Sequence, residues 1–179
     1  SLGSHPSAYL RENTTNFGIT VNDTAVLWAS DNNTVLGLEA ATELWTSNLT
    51  GGQHVCIGRG AGRDVTTAEK NTFVGYYAGA LSNGTGSNVG VGHSALYRIT
   101  TGGENVAIGR NTMGALLAAY SNVFVGNSAG YGSSTGITNN NVGIGTSSLY
   151  SIDNGDNNTA IGCKAGYNVS AGYYNVVLG

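Results

Sequence analysis

The chain has 179 residues, of which 29 are Gly, one is Pro and two are Cys, and its formal net charge is −3. With 40% hydrophobic and only 9% charged residues, the composition excludes a disordered chain and fits one folded domain. The single Pro excludes collagen, and seven scattered basic residues give no electrostatic basis for nucleic-acid binding. Apolar runs are too short for membrane insertion.

A five-residue phrase recurs along the chain, opening with Asn and closing with Gly, and most copies start 17 residues apart. Looser copies begin at Asn16, Asn33 and His54. The regular copies are Asn71–Gly75, Asn88–Gly92, Asn105–Gly109, Asn122–Gly126, Asn141–Gly145, Asn158–Gly162 and Asn175–Gly179. Such a period is typical of repeat proteins in which each unit stacks on its neighbours.

Three regions follow in chain order. Residues 1–15 match no copy and are predicted to be an N-terminal tail or a remnant of expression. Residues 16–53 are predicted to form divergent first rungs, with Trp28 and Trp45, one period apart, stacked as a cap on the open end. Residues 54–179 are predicted to be the regular repeat, and ten rungs in all would make a rod of about 48 Å.

Each phrase is predicted to be a β-strand with apolar residues on both faces. Position two is Val or Thr and position four is aliphatic, so we expect these two to share the face that points into the coil's own core. Position three carries no charge or amide, and we expect it to point away from that core. Phe73 and Phe124 occupy position three and are therefore predicted to lie in a subunit interface.

Positions one and five are predicted to build the turns and a side-chain ladder. Gly permits positive φ where the chain leaves the strand, and Asn side chains stacked one rung apart can hydrogen-bond one another. The residues with these structural roles are Asn71, Gly75, Asn88, Gly92, Asn105, Gly109, Asn122, Gly126, Asn141, Gly145, Asn158 and Gly162. His54 fills an Asn position and is expected to serve the same turn. Position ten carries Tyr97, Tyr131, Tyr150 and Tyr167, predicted to form a partial aromatic stack.

The predicted fold is all-β: a parallel β-solenoid, a β-roll or β-helix, of 17-residue rungs. A rung of this size encloses a narrow core, and the apolar third position predicts association into a homo-oligomer. Closed cyclic symmetry about the rod axis is the simplest arrangement.

The repeat resembles those of bacteriophage tail-fibre and tailspike proteins, which are often found upstream of an intramolecular chaperone domain. Asn158-Thr-Ala-Ile-Gly-Cys-Lys-Ala-Gly-Tyr167 carries this resemblance most clearly. The phrase is also similar to the head repeats of trimeric autotransporter adhesins. These resemblances imply an intertwined or side-by-side homotrimer, a location on the virion tail or alternatively the bacterial cell surface, and attachment to a host glycan or protein receptor.

Sequence features that could carry catalysis or bind metal are weak, and we expect no enzyme activity, cofactor or metal site. A polysaccharide-degrading tailspike would need two carboxylates across a sugar bond, but the acidic residues fall mostly in variable turns. Asp153-Asn154-Gly155-Asp156 has calcium-loop spacing without the downstream Glu of an EF-hand. The three His residues are isolated, and no Gly-x-Ser-x-Gly elbow is present.

Aromatic residues are the candidates for carbohydrate contact, because flat rings stack on the apolar faces of sugars. The residues assigned to this role are Trp28, Trp45, Tyr76, Tyr77, Tyr173 and Tyr174. A role as a pure spacer remains an alternative. Ice binding would need an exposed Thr ladder, whereas Thr here alternates with Val at a position expected to be buried.

The two cysteines are six rungs apart, which corresponds to roughly 29 Å. Since a disulfide needs Cα atoms within about 7 Å, Cys56 and Cys163 are predicted to stay unbonded within one chain.

Overall fold

The computed structural model describes residues 8–13, 16–21, 24–30, 32–43, 52–83, 86–133 and 136–179. Their strands are short. These are β1 (Ala8–Asn13), β2 (Asn16–Val21), β3 (Thr24–Ser30), β4 (Thr34–Leu36), β5 (Val55–Ile57), β6 (Thr72–Val74), β7 (Val89–Val91), β8 (Thr101–Gly103), β9 (Val106–Ile108), β10 (Ala118–Tyr120), β11 (Val123–Val125), β12 (Ile137–Asn139), β13 (Val142–Ile144), β14 (Thr159–Ile161) and β15 (Val176–Leu178).

The repeat phrases form the main parallel stack. Strands β4, β5, β6, β7, β9, β11, β13, β14 and β15 pair in that order, each in parallel with the next. The register never slips: position two pairs with position two, and position four with position four. Among the described residues this makes nine equivalent strands and about eight turns, so the predicted parallel β-solenoid is confirmed.

A second parallel ladder lines another side of the rod. Strands β8, β10 and β12 pair in register, and isolated bridges such as Asn139 to Asp156 and Asp156 to Tyr173 continue the ladder further along. Backbone hydrogen bonds between rungs also join the turns, for example from Gly75 N to Ile57 O at 2.8 Å. Stacking therefore satisfies backbone groups around the whole rung.

The region before β4 differs from its prediction. Strands β1, β2 and β3 form an antiparallel meander, and β3 pairs antiparallel with β4. The loose copy that starts at Asn16 is therefore a strand of this meander and not a solenoid rung. Its fifth residue is Thr20, whereas the fifth residue of each later copy is a Gly that lets the chain turn sharply out of the strand. The meander occupies the edge of the first rung and so protects that edge from pairing with another chain.

Four left-handed corners close each rung. At position five, Gly75 and Gly126 have φ of +138° and +137°, and a Cβ on either would meet the next rung's glycine oxygen at 2.4 and 2.5 Å. Glycine is thus required by both backbone conformation and rung spacing. The other corners fall at positions seven, nine and seventeen, where Tyr77, Leu96 and Ser87 have φ near +55°. The repeated reversals explain why the chain is rich in Gly, Asn and Ser.

The two faces of each strand point the opposite way from the prediction. Position three is buried inside the chain's own core, whereas positions two and four face outwards and are half-buried or exposed. Phe73 and Phe124 have no exposed surface in the single chain. Their assignment to a subunit interface is therefore wrong, because a side chain enclosed by its own coil cannot contact another chain.

The interior is packed by a size exchange between positions three and nine. Where position three holds Phe73 or Phe124, position nine of the same rung is Gly79 or Gly130, and a Cβ on either glycine would meet the ring within 2.6 Å. In three other rungs position three is small and position nine is large. These pairs are Gly90 with Leu96, Ala107 with Met113, and Gly143 with Leu149. Such compensation is typical of a close-packed interior. It can be seen in the sequence when positions three and nine of one rung are compared.

A buried asparagine ladder runs along one corner, as predicted. In a typical step Asn122 Nδ2 donates to Asn105 Oδ1 at 3.0 Å and to Thr138 O at 2.9 Å, while the Asn122 backbone N–H donates to the same Oδ1 at 3.1 Å. One side chain thereby joins two rungs and also donates a hydrogen bond to a backbone carbonyl near the end of its own rung. The step recurs from Asn105 to Asn175, which gives these amide groups hydrogen-bond partners inside the narrow core. Among the described residues, the buried Asn88 Nδ2 and Thr138 hydroxyl have no such partner.

His54 takes the place of Asn in this ladder. Its Nδ1 accepts the Asn71 backbone N–H at 3.3 Å, and its Nε2 lies 2.9 Å from Ala68 O. These partners require the neutral tautomer with the proton on Nε2. Burial lowers the pKa of His54, against a smaller opposing effect of the Ala68 carbonyl. The neutral ring therefore copies the one-acceptor, one-donor geometry of an asparagine amide.

Candidate functional site

The first candidate surface is the outward face of the main stack, here called the outer columns, made of positions two and four in the nine strands. Position two is Val or Thr throughout, and position four is Ile, Val or Leu. Leu36, Ile108, Ile144 and Ile161 are each 40–45% exposed. The columns carry no charge along about eight rung spacings, or about 38 Å. A continuous apolar strip of this length is typical of an interaction surface.

Thr residues are sparse in the outer columns, although position two faces outwards and is not buried as predicted. They are Thr34, Thr72 and Thr159, with Val in the other six described strands. Their hydroxyls are separated by apolar rungs, so no continuous Thr ladder forms.

The second candidate surface lies on the side that follows the outer columns in each rung, and we call it the ring cluster. It comprises Tyr76, Tyr77, His93 and Tyr97 with Glu39, Arg59 and Arg63. The Tyr76 ring stacks on His93 with centroids 5.1 Å apart. Tyr77 meets Tyr76 edge-on at 4.5 Å and Tyr97 at 6.3 Å. Rings from two successive rungs are thus gathered at one place.

Charged groups fix the ring cluster in position. Arg63 lies 5.5 Å from the Tyr77 ring centroid and is held by two hydrogen bonds to Asp64, at 2.7 and 3.0 Å. Glu39 pairs with Arg59 at 3.2 Å and accepts the Tyr77 hydroxyl at 3.4 Å. The hydrogen bond with Asp64 raises the pKa of Arg63, and that with Glu39 raises the pKa of Arg59. Both guanidinium groups are therefore charged at any physiological pH.

Position ten forms a regular stack near the other end of the rod. Tyr131 and Tyr150 lie 5.3 Å apart and are inclined by 9°, and Tyr150 and Tyr167 lie 4.9 Å apart at 2°. The predicted partial stack is confirmed for these three. Tyr97 instead joins the ring cluster, because Gly114 interrupts the column between it and Tyr131.

The predicted carbohydrate-contact residues do not form one site. Tyr76 and Tyr77 lie together in the ring cluster, whereas Tyr173 and Tyr174 are exposed in the turn before β15. About five rungs, or about 24 Å, separate the two pairs. Trp28 lies in β3, where its backbone faces Gly18 and Val35. Trp45 falls outside the described residues, so the predicted stacking of the two tryptophans stays a prediction. Sequence reasoning missed Arg59, Arg63 and His93. Arg59 and His93 each lie one period from Tyr76, at position six of their rungs, and this spacing could have found them, whereas Arg63 is at position ten.

Several carboxylates serve as hydrogen-bond acceptors between rungs. Asp156 accepts the backbone N–H and the side-chain amide of Asn139 at 2.7 and 3.1 Å, and Asp153 accepts the Ser133 hydroxyl. Glu104 accepts the Ser121 hydroxyl at 2.9 Å. Asp153 and Asp156, considered above as a calcium loop, thus bridge neighbouring rungs.

Within the described ranges, no group of three or more His, Cys, Asp or Glu side chains is arranged to hold a metal ion. Helices long and apolar enough to cross a membrane are likewise absent from that part of the chain.

Cys56 is buried and Cys163 exposed, and both are free thiols, as predicted. Burial raises the pKa of Cys56 to about 12, so this thiol is unreactive at neutral pH.

Comparison with known proteins gave no further guide: no family model, curated protein or solved structure matches the chain. The class that the fold defines is a parallel β-solenoid with an apolar outer sheet face.

Proposed function

We propose that this chain is a non-enzymatic module of a fibre or adhesin, which assembles as a homotrimer and presents its turns to a host-cell surface. The observation that carries the proposal is the pair of uncharged outer columns. A lone rod would expose this strip to water along its whole length, which soluble monomers rarely tolerate. Covering it with further copies of the chain removes the exposure.

The uniformity of the outer columns favours copies of the same chain in register. Cyclic symmetry about the rod axis brings each rung against the equivalent rung of its neighbours. A strip of Val or Thr beside Ile, Val or Leu then meets an identical strip at every level. The expected interface is therefore formed by residues such as Val106, Ile108, Val142 and Ile144, replacing Phe73 and Phe124. The number three and the virion-tail location follow from the resemblance to tail-fibre repeats, with the bacterial surface as the alternative.

A non-enzymatic role is supported by how the described carboxylates are used. Glu39 and Asp64 pair with arginines, Glu104 accepts a serine hydroxyl, and Asp156 accepts an inter-rung amide. These contacts give each group a structural role. The rival tailspike enzyme would require an acidic pair free to face a sugar.

Binding and chain-length measurements on bacterial surface polysaccharides test this function. The protein is incubated with a panel of whole cells, capsules and lipopolysaccharides, followed by sizing of the saccharides. We expect retention on at least one surface with no change in saccharide length. Reproducible shortening would support the enzyme instead, and absence of binding across the panel would favour a spacer.

A further inference from the structure

The ring cluster differs from the stacked tyrosines in how its aromatic surfaces are arranged. In the stack, planes inclined by 2° and 9° place each ring face against the next, so the middle ring offers little but its edge. In the cluster, Tyr77 stands at 83° to Tyr76 and at 86° to Tyr97. Crossed rings present faces and edges in several directions, which a bulky, non-planar ligand can use.

Glycine at one position makes room for this arrangement. A Cβ on Gly60 would lie 2.4 Å from two ring carbons of Tyr77, so the ring lies across the preceding rung where a side chain is missing. From there its hydroxyl reaches Glu39, one rung further back. Tyr77 is thus held by ring contacts, by Arg63 and by Glu39. A site whose groups are already fixed loses little entropy when a ligand binds.

Positive charge extends the cluster along the rod. Position six reads Arg59, Tyr76, His93 and Arg110 in successive rungs, and Asn111 N donates to His93 O at 2.8 Å, which places Arg110 directly after His93. Arg59 is neutralised by Glu39. Arg110 is exposed and forms no ion pair with any described residue. An exposed cation with no ion pair among the described residues therefore lies one rung beyond the exposed His93 ring and two rungs beyond Tyr76, on a chain whose net charge is −3.

We propose that the ring cluster binds an acidic saccharide, a sugar chain that carries carboxylate groups. This inference rests on the proposed function and names its ligand class and site. The apolar C–H face of a pyranose packs on the aromatic rings, and Arg110 pairs with the carboxylate. Glu39 and Arg59 lie at the other end of the cluster, where they can accept and donate hydrogen bonds to hydroxyls. A nucleic acid fits less well, because the side carries too few unpaired cations to neutralise a run of phosphates.

Affinity electrophoresis in gels containing polygalacturonate, an acidic polysaccharide, tests the proposal, with dextran as the neutral comparison. We expect the parent protein to be retarded by polygalacturonate and not by dextran. Tyr76→Ala and Arg110→Gln should each weaken this binding about tenfold, as expected for loss of one ring contact or one charged pair. Two variants serve as matched controls: Tyr120→Ala removes a ring of similar exposure, 48% against 44% for Tyr76, and Lys164→Gln removes an exposed cation from another rung.

The outcomes separate this inference from the proposed function. Thermal melts first establish that the variants are folded, and Arg110→Gln, at an exposed turn position, remains informative if Tyr76→Ala does not fold. No retardation by polygalacturonate, or equal retardation of parent, Tyr76→Ala and Arg110→Gln, would overturn the ring cluster as the site. If the parent still binds bacterial surfaces in the panel assay, the attachment function survives that result. If dextran retarded the parent protein as strongly as polygalacturonate does, the proposed pairing of Arg110 with a carboxylate of the saccharide would be wrong.

Discussion

The inner and outer columns of the main stack come from the same three-residue strands, yet they vary along the rod in different ways. Inner position three ranges from Gly to Phe, and each large residue is matched by a small one at position nine. Outer positions two and four keep nearly one size from β4 to β15. Both columns are apolar, so apolarity does not tell inside from outside. Size compensation marks the interior, and uniform size marks a face that meets many identical rungs.

The largest expected effect comes from the interior size exchange. Phe124→Ala should cost about 3–5 kcal/mol of stability by leaving a cavity, and Gly130→Met should also destabilise, since a Cβ there already meets the ring at 2.6 Å. Together they recreate the neighbouring rung, which pairs Ala107 with Met113. We expect the double variant to recover about 1–3 kcal/mol relative to the sum of the singles in urea melts. Additive effects would mean that positions three and nine do not pack together.

The asparagine ladder comes next. Asn122→Ala removes the partners of the Asn141 N–H and the Thr138 carbonyl inside the core, and we expect a loss of about 2–5 kcal/mol. Asn127, exposed on the same rung, is the matched control, and Asn127→Ala should change stability by less than about 0.5 kcal/mol. Similar urea midpoints for the two variants would contradict a structural role for the ladder.

A smaller effect should depend on pH. Because burial lowers the pKa of His54 below its unfolded value of about 6.5, the unfolded chain binds this proton more readily. The stability that His54 contributes is complete above pH 6.5 and falls as the pH drops towards the folded-state pKa, by at most about 1.4 kcal/mol per pH unit. His54→Asn, which restores the ladder residue, should remove this slope. Urea melts between pH 7.5 and 4.5 measure it, and an unchanged slope in the variant would assign it to other groups.

The smallest effect is expected next to the most sensitive position. Val123→Thr changes an outer-column residue adjacent to Phe124, and Thr occupies the same position at Thr72 and Thr159. We expect a shift in unfolding free energy within about 0.5 kcal/mol. A loss comparable to that of Phe124→Ala would show that position two is interior after all.

The sequence predicted the period, the parallel register, the glycine corners and the asparagine ladder, because each depends on a residue that recurs at a fixed position. It did not by itself decide which face of the strand points inwards, since both faces are apolar. The exchange between Phe73 and Gly79, or Gly90 and Leu96, holds that information, but only when two positions are compared within one rung.

Two further differences between the sequence prediction and the structure also depend on more than one position of the repeat. Asn16 carries the opening residue of the phrase without the closing glycine, so its strand stays in an antiparallel meander. The ring cluster involves Glu39 and Tyr77 at position seven, Arg59 at position six and Tyr97 at position ten, in four successive rungs. Their proximity follows from the coil geometry and not from any spacing of a single motif.

Sedimentation equilibrium of the parent protein and of Ile108→Asp/Ile144→Asp tests the central claim most directly. Both isoleucines are 40% exposed in the outer columns, whereas Ile137 on the second ladder is 54% exposed, and Ile137→Asp is the control. We expect the parent and the control to sediment at three times the mass of one chain, and the double variant as a folded single chain, because the charges would be buried between copies. A parent that sediments as one chain, or a double variant that still assembles like the parent, would contradict the account.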